Sequence, residues 1–391
     1  MNRFAPSARM KAVEMPPVAD IMSRITELRD SGRDVISMAQ AVPWYGPPVD
    51  TLRKFTGLIA DPALHRYSPD PGFLSARKAV AEDFRSRRNI SLDPECELHL
   101  TCGASQAFLS ALLACTSSGE KVAVLEPYYF DHIFAVQFSG LELVSIPLDE
   151  SEGRWLVPMD RLEETMKTAA TLVLVNPGNP TGMVIPDGTM KEITEMARDT
   201  GTFLIIDETY ERFVFTGDNW HPRQDSTAEH VLTLGSFSKS LGMPGWRIGY
   251  LFGAGEMLEQ AIKVQDSVVI CPPAPSQKLL ELTIRRTGWI EKMSAEVKRR
   301  RDICKKTLLN GSGGLKWREA GGAFFTLAQL ETGMNSYQAA LHLLEEYGIG
   351  TIPGSAFGES GEGHLRISFG CLKESQIETA MEKLAEASFP G

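Results

Sequence analysis

From about Gly119 to Ile270, short apolar runs alternate with longer amphipathic stretches. This is the pattern of strands joined by crossover helices in a mostly parallel sheet. The runs are Lys121 to Leu125, Glu142 to Ile146, Thr171 to Val175, Phe203 to Ile206, Val231 to Leu234 and Ile248 to Phe252. Each is apolar over most of its length, as strands are when helices cover both faces of their sheet. After about Ser276 the pattern lengthens into helical periods, followed by short strand candidates around Gly322 to Leu327 and His364 to Phe369. The prediction is one large α/β unit and a smaller α+β unit completed by the N-terminal segment. The chain shows no internal repeat with a period of about 20 to 50 residues and no low-complexity tract, which excludes solenoids and disordered scaffolds.

Bulk composition narrows the function classes. A length of 391 residues exceeds one typical compact domain, and 43% hydrophobic with 23% charged residues is ordinary for a globular chain. No run approaches the roughly 18 apolar residues a membrane span requires. The formal net charge of -10 argues against non-specific nucleic-acid binding, which needs a basic face. The densest basic run, Lys298, Arg299, Arg300 and Arg301, reads as the solvated face of a helix between Trp289 and Leu309. The six cysteines are scattered, without a CxxC pair or a metal-ligand cluster, so free thiols in a reducing compartment are expected. The first thirty residues lack the pattern of a secretory signal, and the expected location is cytoplasmic.

Ligands in open α/β sheets bind beyond the carboxyl ends of the strands, and four segments there carry candidate chemistry. Thr101-Cys-Gly-Ala-Ser-Gln-Ala107 opens a helical run, so its free N–H groups suit a phosphate; a small-residue helix start with no ligand fits equally. Val175-Asn-Pro-Gly-Asn-Pro-Thr-Gly182 holds two asparagines between prolines, more constraint than a connection requires. Phe203-Leu-Ile-Ile-Asp-Glu-Thr-Tyr210 ends a buried strand in an acid, which alone would also suit a helix cap. Ser236-Phe-Ser-Lys-Ser-Leu-Gly-Met-Pro-Gly-Trp-Arg-Ile-Gly-Tyr250 places Lys239 on a tight turn with Arg247 eight residues on. A desolvated lysine suits Schiff-base chemistry, and an arginine fork suits a phosphate.

Together these segments resemble the class I/II aminotransferase family, the fold-type-I pyridoxal-phosphate enzymes of the aspartate aminotransferase superfamily, from roughly Ile36 to Arg366. The resemblance implies a large domain with a mostly parallel seven-stranded sheet sandwiched by helices, plus a smaller α+β domain built from both chain ends. The implied division is 1–48 for an N-terminal arm and part of the small domain, 49–285 for the large pyridoxal-phosphate-binding domain and 286–391 for the C-terminal small domain.

Residue by residue, Lys239 resembles the aldimine lysine that also shuttles the proton, and Asp207 the acid paired with the pyridine nitrogen. Asn179 and Tyr210 resemble the donors to the ring's 3'-oxygen. Ala104, Ser105, Ser236, Ser238 and Arg247 match the phosphate site. Tyr129 takes the place of the ring that stacks on the pyridine, with Tyr128 the alternative. Arg366 resembles the arginine that grips the substrate carboxylate. Tyr67 resembles a tyrosine reaching the neighbouring subunit's phosphate, which implies a homodimer. The partners implied are amino acids and 2-oxo acids, with neither nucleic acid nor membrane.

The chain departs from its relatives at Ser37-Met-Ala-Gln-Ala-Val-Pro-Trp-Tyr45, where Ala39 and Ala41 stand in place of common glycines. Ala41 is expected near the substrate carboxylate, where its methyl narrows the pocket. Trp44 and Tyr45 are either a surface for an aromatic substrate or ordinary packing. No arginine is identifiable as a clamp for a second carboxylate, and any such specificity is sought in Phe215 to Arg223. The expected reaction is ping-pong transamination. The alternatives are a β- or γ-eliminating lyase, an aminocyclopropane-carboxylate-synthase-like enzyme, or a regulatory protein that keeps the fold.

Overall fold

In the computed structural model the described residues are 4–390 except 218, 226, 227, 310 and 312. Seven strands form the main sheet: β1 (Leu98–Thr101), β2 (Lys121–Glu126), β3 (Glu142–Pro147), β4 (Thr171–Val175), β5 (Phe203–Asp207), β6 (Val231–Ser236) and β7 (Gly249–Phe252). Their spatial order is β1-β7-β6-β5-β4-β2-β3, and every pairing is parallel except those of β7, which runs antiparallel to both neighbours. The fold is α/β, as the alternating pattern predicts. The strand missing from that pattern, β1, is four residues long and carries His99 among its apolar positions. Its Leu-His-Leu-Thr sequence is broken by polar residues, so it lacks the continuous apolar run by which the other six declare themselves.

Residues on the central strands β4 to β6 are almost all buried, because helices lie on both faces. The helix Ala104–Cys115 buries Ala107, Phe108, Ala111 and Leu112 against this sheet, spaced three and four apart as one helical face requires. On the other side the helix Asp187–Thr200 does the same with Met190, Ile193 and Ala197, and ends at Gly201 in the left-handed conformation. Each burial of a large apolar side chain contributes about 1.5–3 kcal/mol.

A four-stranded sheet follows, built from β8 (Leu315–Lys316), β9 (Phe325–Leu330), β10 (Ile352–Pro353) and β11 (His364–Ser368) in the order β8-β9-β11-β10. The N-terminal segment joins it from the far end of the chain: Ile36–Ser37 pairs in parallel with Ile349–Gly350, and Ser368 N–H donates to Met38 O at 2.9 Å. That return brings residues 38–46 across the carboxyl ends of the main strands.

The basic run is not a solvated face. On the helix Thr287–Leu308, Arg300 and Arg301 are 3% and 7% exposed. They fall on the stripe of Val297, Cys304 and Leu308, three and four residues away, so helical phase takes them inward whatever their charge. Arg300 Nε donates to Leu372 O at 3.0 Å, and its guanidinium lies 3.6 Å from the centre of the Trp44 ring. Arg301 Nη1 donates to Ala320 O at 3.3 Å. Lys298 and Arg299 are exposed, as expected. All six cysteines are free, and among the described residues no helix is long and apolar enough to cross a membrane.

Candidate active site

Beyond the carboxyl ends of β1, β4, β5 and β6 lies a cavity of about 470 Å³. Its wall includes Ala41, Ala104, Ser105, Tyr129, Asn179, Asp207, Tyr210, Ser236, Ser238, Lys239, Arg247 and Arg366. Thus every candidate site residue but Tyr67 reaches one space, although the chain separates them by up to 325 residues between Ala41 and Arg366. Tyr67 is 78% exposed and lines a separate surface groove with Leu64, Val269 and Cys271.

Lys239 sits on the short helix Phe237–Ser240, whose N-cap Ser236 accepts from Ser238 N–H at 3.0 Å. Its Nζ donates to Ala41 O at 2.6 Å, and no carboxylate lies within ion-pair distance among the described residues. Burial, helped by the guanidinium charges of Arg366 and Arg247, pulls the lysine down to about 8. A neutral amine is therefore accessible near neutral pH.

Asp207 ends β5 and is held in place by two contacts. Its Oδ1 accepts from Thr209 N–H at 2.9 Å, and its Oδ2 lies 3.2 Å from Nε2 of His132. His132 is stacked on Phe108 with ring centres 3.9 Å apart. Sequence reasoning passed over this histidine. The signal was its place three residues after Tyr129, one turn into the helix Phe130–Phe138.

Arg366 projects from β11 and is 5% exposed. Nη1 donates to Asn179 Oδ1 at 3.2 Å and Nη2 to Ala39 O at 2.7 Å, while Nε has no hydrogen-bond partner. No carboxylate pairs with it among the described residues. A buried guanidinium so placed is prepared to receive an anion. Tyr210 packs edge-on against Phe324 and Phe325, and burial raises its phenol well above the ordinary range.

At the other end of the cavity, Gly103 caps the helix Ala104–Cys115 at φ 81°, and a Cβ there would fall 2.6 Å from Arg247 Nη2. The left-handed φ favours glycine here, and an added Cβ would push the Arg247 guanidinium aside. Arg247, itself at φ 50°, is exposed and donates to Pro244 O at 3.1 Å. Open helix N–H groups, the hydroxyls of Ser236 and Ser238 and one guanidinium form a set suited to a phosphate.

The residues at which the chain departs from the family pattern divide between the cavity and its surroundings. Ala41 lines the cavity together with Arg366, its carbonyl accepting from Lys239 Nζ, while the carbonyl of Ala39 accepts from Arg366 Nη2. Trp44 faces Arg300, and Tyr45 O–H donates to Lys239 O at 2.8 Å; neither lines the cavity, so both are packing residues. The described part of Phe215 to Arg223 also packs away from the cavity. His221 contacts Thr233 Oγ1 at 3.0 Å, Arg223 pairs with Glu97 at 2.7 Å, and Asn219 Oδ1 accepts from Asn176 at 3.2 Å. Asp218 lies outside the described residues.

A half-buried lysine, an acid at a strand end, an anion-ready arginine and a phosphate cradle fit pyridoxal phosphate, and fold and site together define a fold-type-I enzyme of that cofactor. Residues 33–384 match the model of the family described as aminotransferase class I and II, and the chain belongs to that family. It is 32% identical to the aromatic aminotransferase ISS1 of Arabidopsis thaliana, over 97% of this chain and 95% of that one. It is 32% identical to an aspartate aminotransferase of Pyrococcus abyssi, over 90% and 91%. The solved aspartate aminotransferase of Thermus thermophilus with maleate superposes with a TM-score of 0.89 at 28% identity, covering 98% of this chain and 99% of that one. The protein is a pyridoxal-phosphate-dependent aminotransferase acting on amino acids and 2-oxo acids.

Proposed function

We propose that Lys239 binds the cofactor covalently and moves the substrate's α-proton, in a ping-pong exchange between an L-amino acid and a 2-oxo acid. The observation that carries this reading is the half-buried Lys239 amine, lowered to about 8 and without a carboxylate partner among the described residues, in the same cavity as Asp207 and Arg366. Pyridoxal phosphate, when bound, supplies an aldehyde carbon and an electron-withdrawing ring. Asp207, backed by His132, holds a proton on the ring nitrogen. Asn179 and Tyr210 donate to the ring oxygen, and Tyr129 covers the ring face. Ala104, Ser105, Ser236, Ser238 and Arg247 hold the phosphate. Arg366 orients the substrate through its carboxylate, placing the α-proton within reach of Lys239 Nζ.

In this reading the cofactor unit spans 49–285, and 286–391 forms the small unit with 1–48, a division supported by the pairing of Ile36 with Ile349. The enzyme acts as a cytoplasmic homodimer in which exposed Tyr67 reaches the neighbouring site; the free thiols and the 78% exposure of Tyr67 support these two points.

The test is an absorbance spectrum of the cofactor-loaded protein during addition of twenty amino acids one at a time, without an acceptor. A visible band that shifts to shorter wavelength with some of them is expected, together with loss of the band in Lys239→Ala. A band that persists unchanged in Lys239→Ala sinks the assignment of that lysine.

A further inference from the structure

The cavity wall carries two carboxylates, and only one is accounted for. Asp207 is engaged by His132 and the Thr209 amide. The other, Asp131, lies in the first turn of the helix Phe130–Phe138, half-buried on the same wall. Its Oδ2 accepts from the Tyr129 O–H. Among the described residues no cation lies within ion-pair distance of it. The three lysine and arginine side chains that line the cavity are Lys239, Arg247 and Arg366. With Arg366 on the α-carboxylate, Lys239 at the amine and Arg247 at the phosphate, none of this protomer's own cavity cations among the described residues remains for a second carboxylate. The wall left for the substrate side chain is Val18 and Met22, one helical turn apart on the helix Val18–Asp30, with Gln40, Phe130 and Asp131. It is apolar surface with one amide, Gln40, and one anion, Asp131.

We infer that Asp131 is a specificity-determining residue: its carboxylate accepts a hydrogen bond from an N–H or O–H group on the amino donor's side chain and disfavours donors with a second carboxylate. This rests on the aminotransferase reading of the same pocket. The physical basis is discrimination by repulsion. A like charge brought against Asp131 out of water is penalised, whereas a phenol, an indole N–H or a cation gains a charge-assisted bond there. The remaining apolar wall suits the carbon framework of such a side chain.

The test uses the cofactor-loaded enzyme and 2-methyl amino acids, which bind but lack the α-proton, so affinity is read from the cofactor's spectral shift without turnover. Wild type is expected to bind 2-methylaspartate at least tenfold more weakly than 2-methyltyrosine. In Asp131→Asn that gap shrinks at least tenfold, mainly through tighter 2-methylaspartate. Tyr129→Phe, which removes the O–H but keeps the carboxylate, retains the gap. Preference of the wild type for 2-methylaspartate, or an unchanged gap in Asp131→Asn, overturns the inference. So does closure of the gap in Tyr129→Phe, since Asp131 would then act only by orienting that ring. A cofactor band that responds to no amino acid defeats the aminotransferase reading itself, an outcome distinct from these.

Discussion

Asp207 and Glu208 are neighbours in the chain but belong to two regions with opposite electrostatic character. On the Glu208 side, charges close on one another, from the buried Arg88–Glu208 pair outward to exposed Arg87. Arg88 Nη1 lies 2.6 Å from Glu208 Oε2, Tyr250 O–H donates to Glu208 Oε1 at 2.9 Å, Arg87 meets Glu211 at 2.7 Å, and Arg212 meets Asp83 at 2.6 Å. On the Asp207 side, Lys239, Arg247 and Arg366 share a cavity with no carboxylate in ion-pair reach of any of them among the described residues. Paired buried charges mark a structural element, and unpaired ones facing a cavity mark a site. The comparison teaches that burial and charge alone do not find an active site; unsatisfied charge does.

Three experiments would break or sharpen this contrast. Arg88→Ala leaves Glu208 buried without its cation, and unfolding by urea should show a loss of about 3–5 kcal/mol. A loss below about 1 kcal/mol would mean that the cluster is not the closed assembly described. Arg366→Lys, on the open side, should leave stability nearly unchanged and lower kcat/KM by about 10²-fold, because an ammonium does not reproduce the planar fork. An equal fall in stability would place Arg366 with the structural charges instead.

The smallest effect is in pH. Only the neutral amine of Lys239 attacks an aldehyde, so the rate of cofactor incorporation into the cofactor-free protein should rise with pH and level off above about 8. Between pH 7 and 9 the increase should be about tenfold, whereas an ordinary lysine would give about 100-fold with no levelling. The sign follows from the cause: burial and two guanidinium charges disfavour the ammonium, so protonation is lost at lower pH than usual. Stopped-flow absorbance reads the bend directly.

Legibility in the sequence followed the range of the interaction. The two asparagines of Val175 to Gly182 look equivalent in the chain, yet Asn176 is tied to Ile185 N–H and Asn219 while Asn179 meets Arg366. The same limit hid His132, whose partner is 75 residues away. The inward turn of Arg300 and Arg301 is instead local, carried by their helical phase with Val297, Cys304 and Leu308 against the expectation from their charge. β1 escaped because His99 and Thr101 interrupt its apolar run, leaving no continuous stretch to detect.

By itself the sequence determined the fold class, because strand and helix periods are local, and the family and its chemistry through the resemblance carried by Val175 to Gly182, Phe203 to Tyr210 and Ser236 to Tyr250. Only the tertiary structure decided which of these groups remain unpaired. It brought residues 39–41 over Lys239 and Arg366, put His132 behind Asp207, and left Asp131 on the wall without a cation among the described residues. The reason is physical: pairing depends on separations of a few ångströms between residues far apart in the chain, and no local pattern encodes such distances.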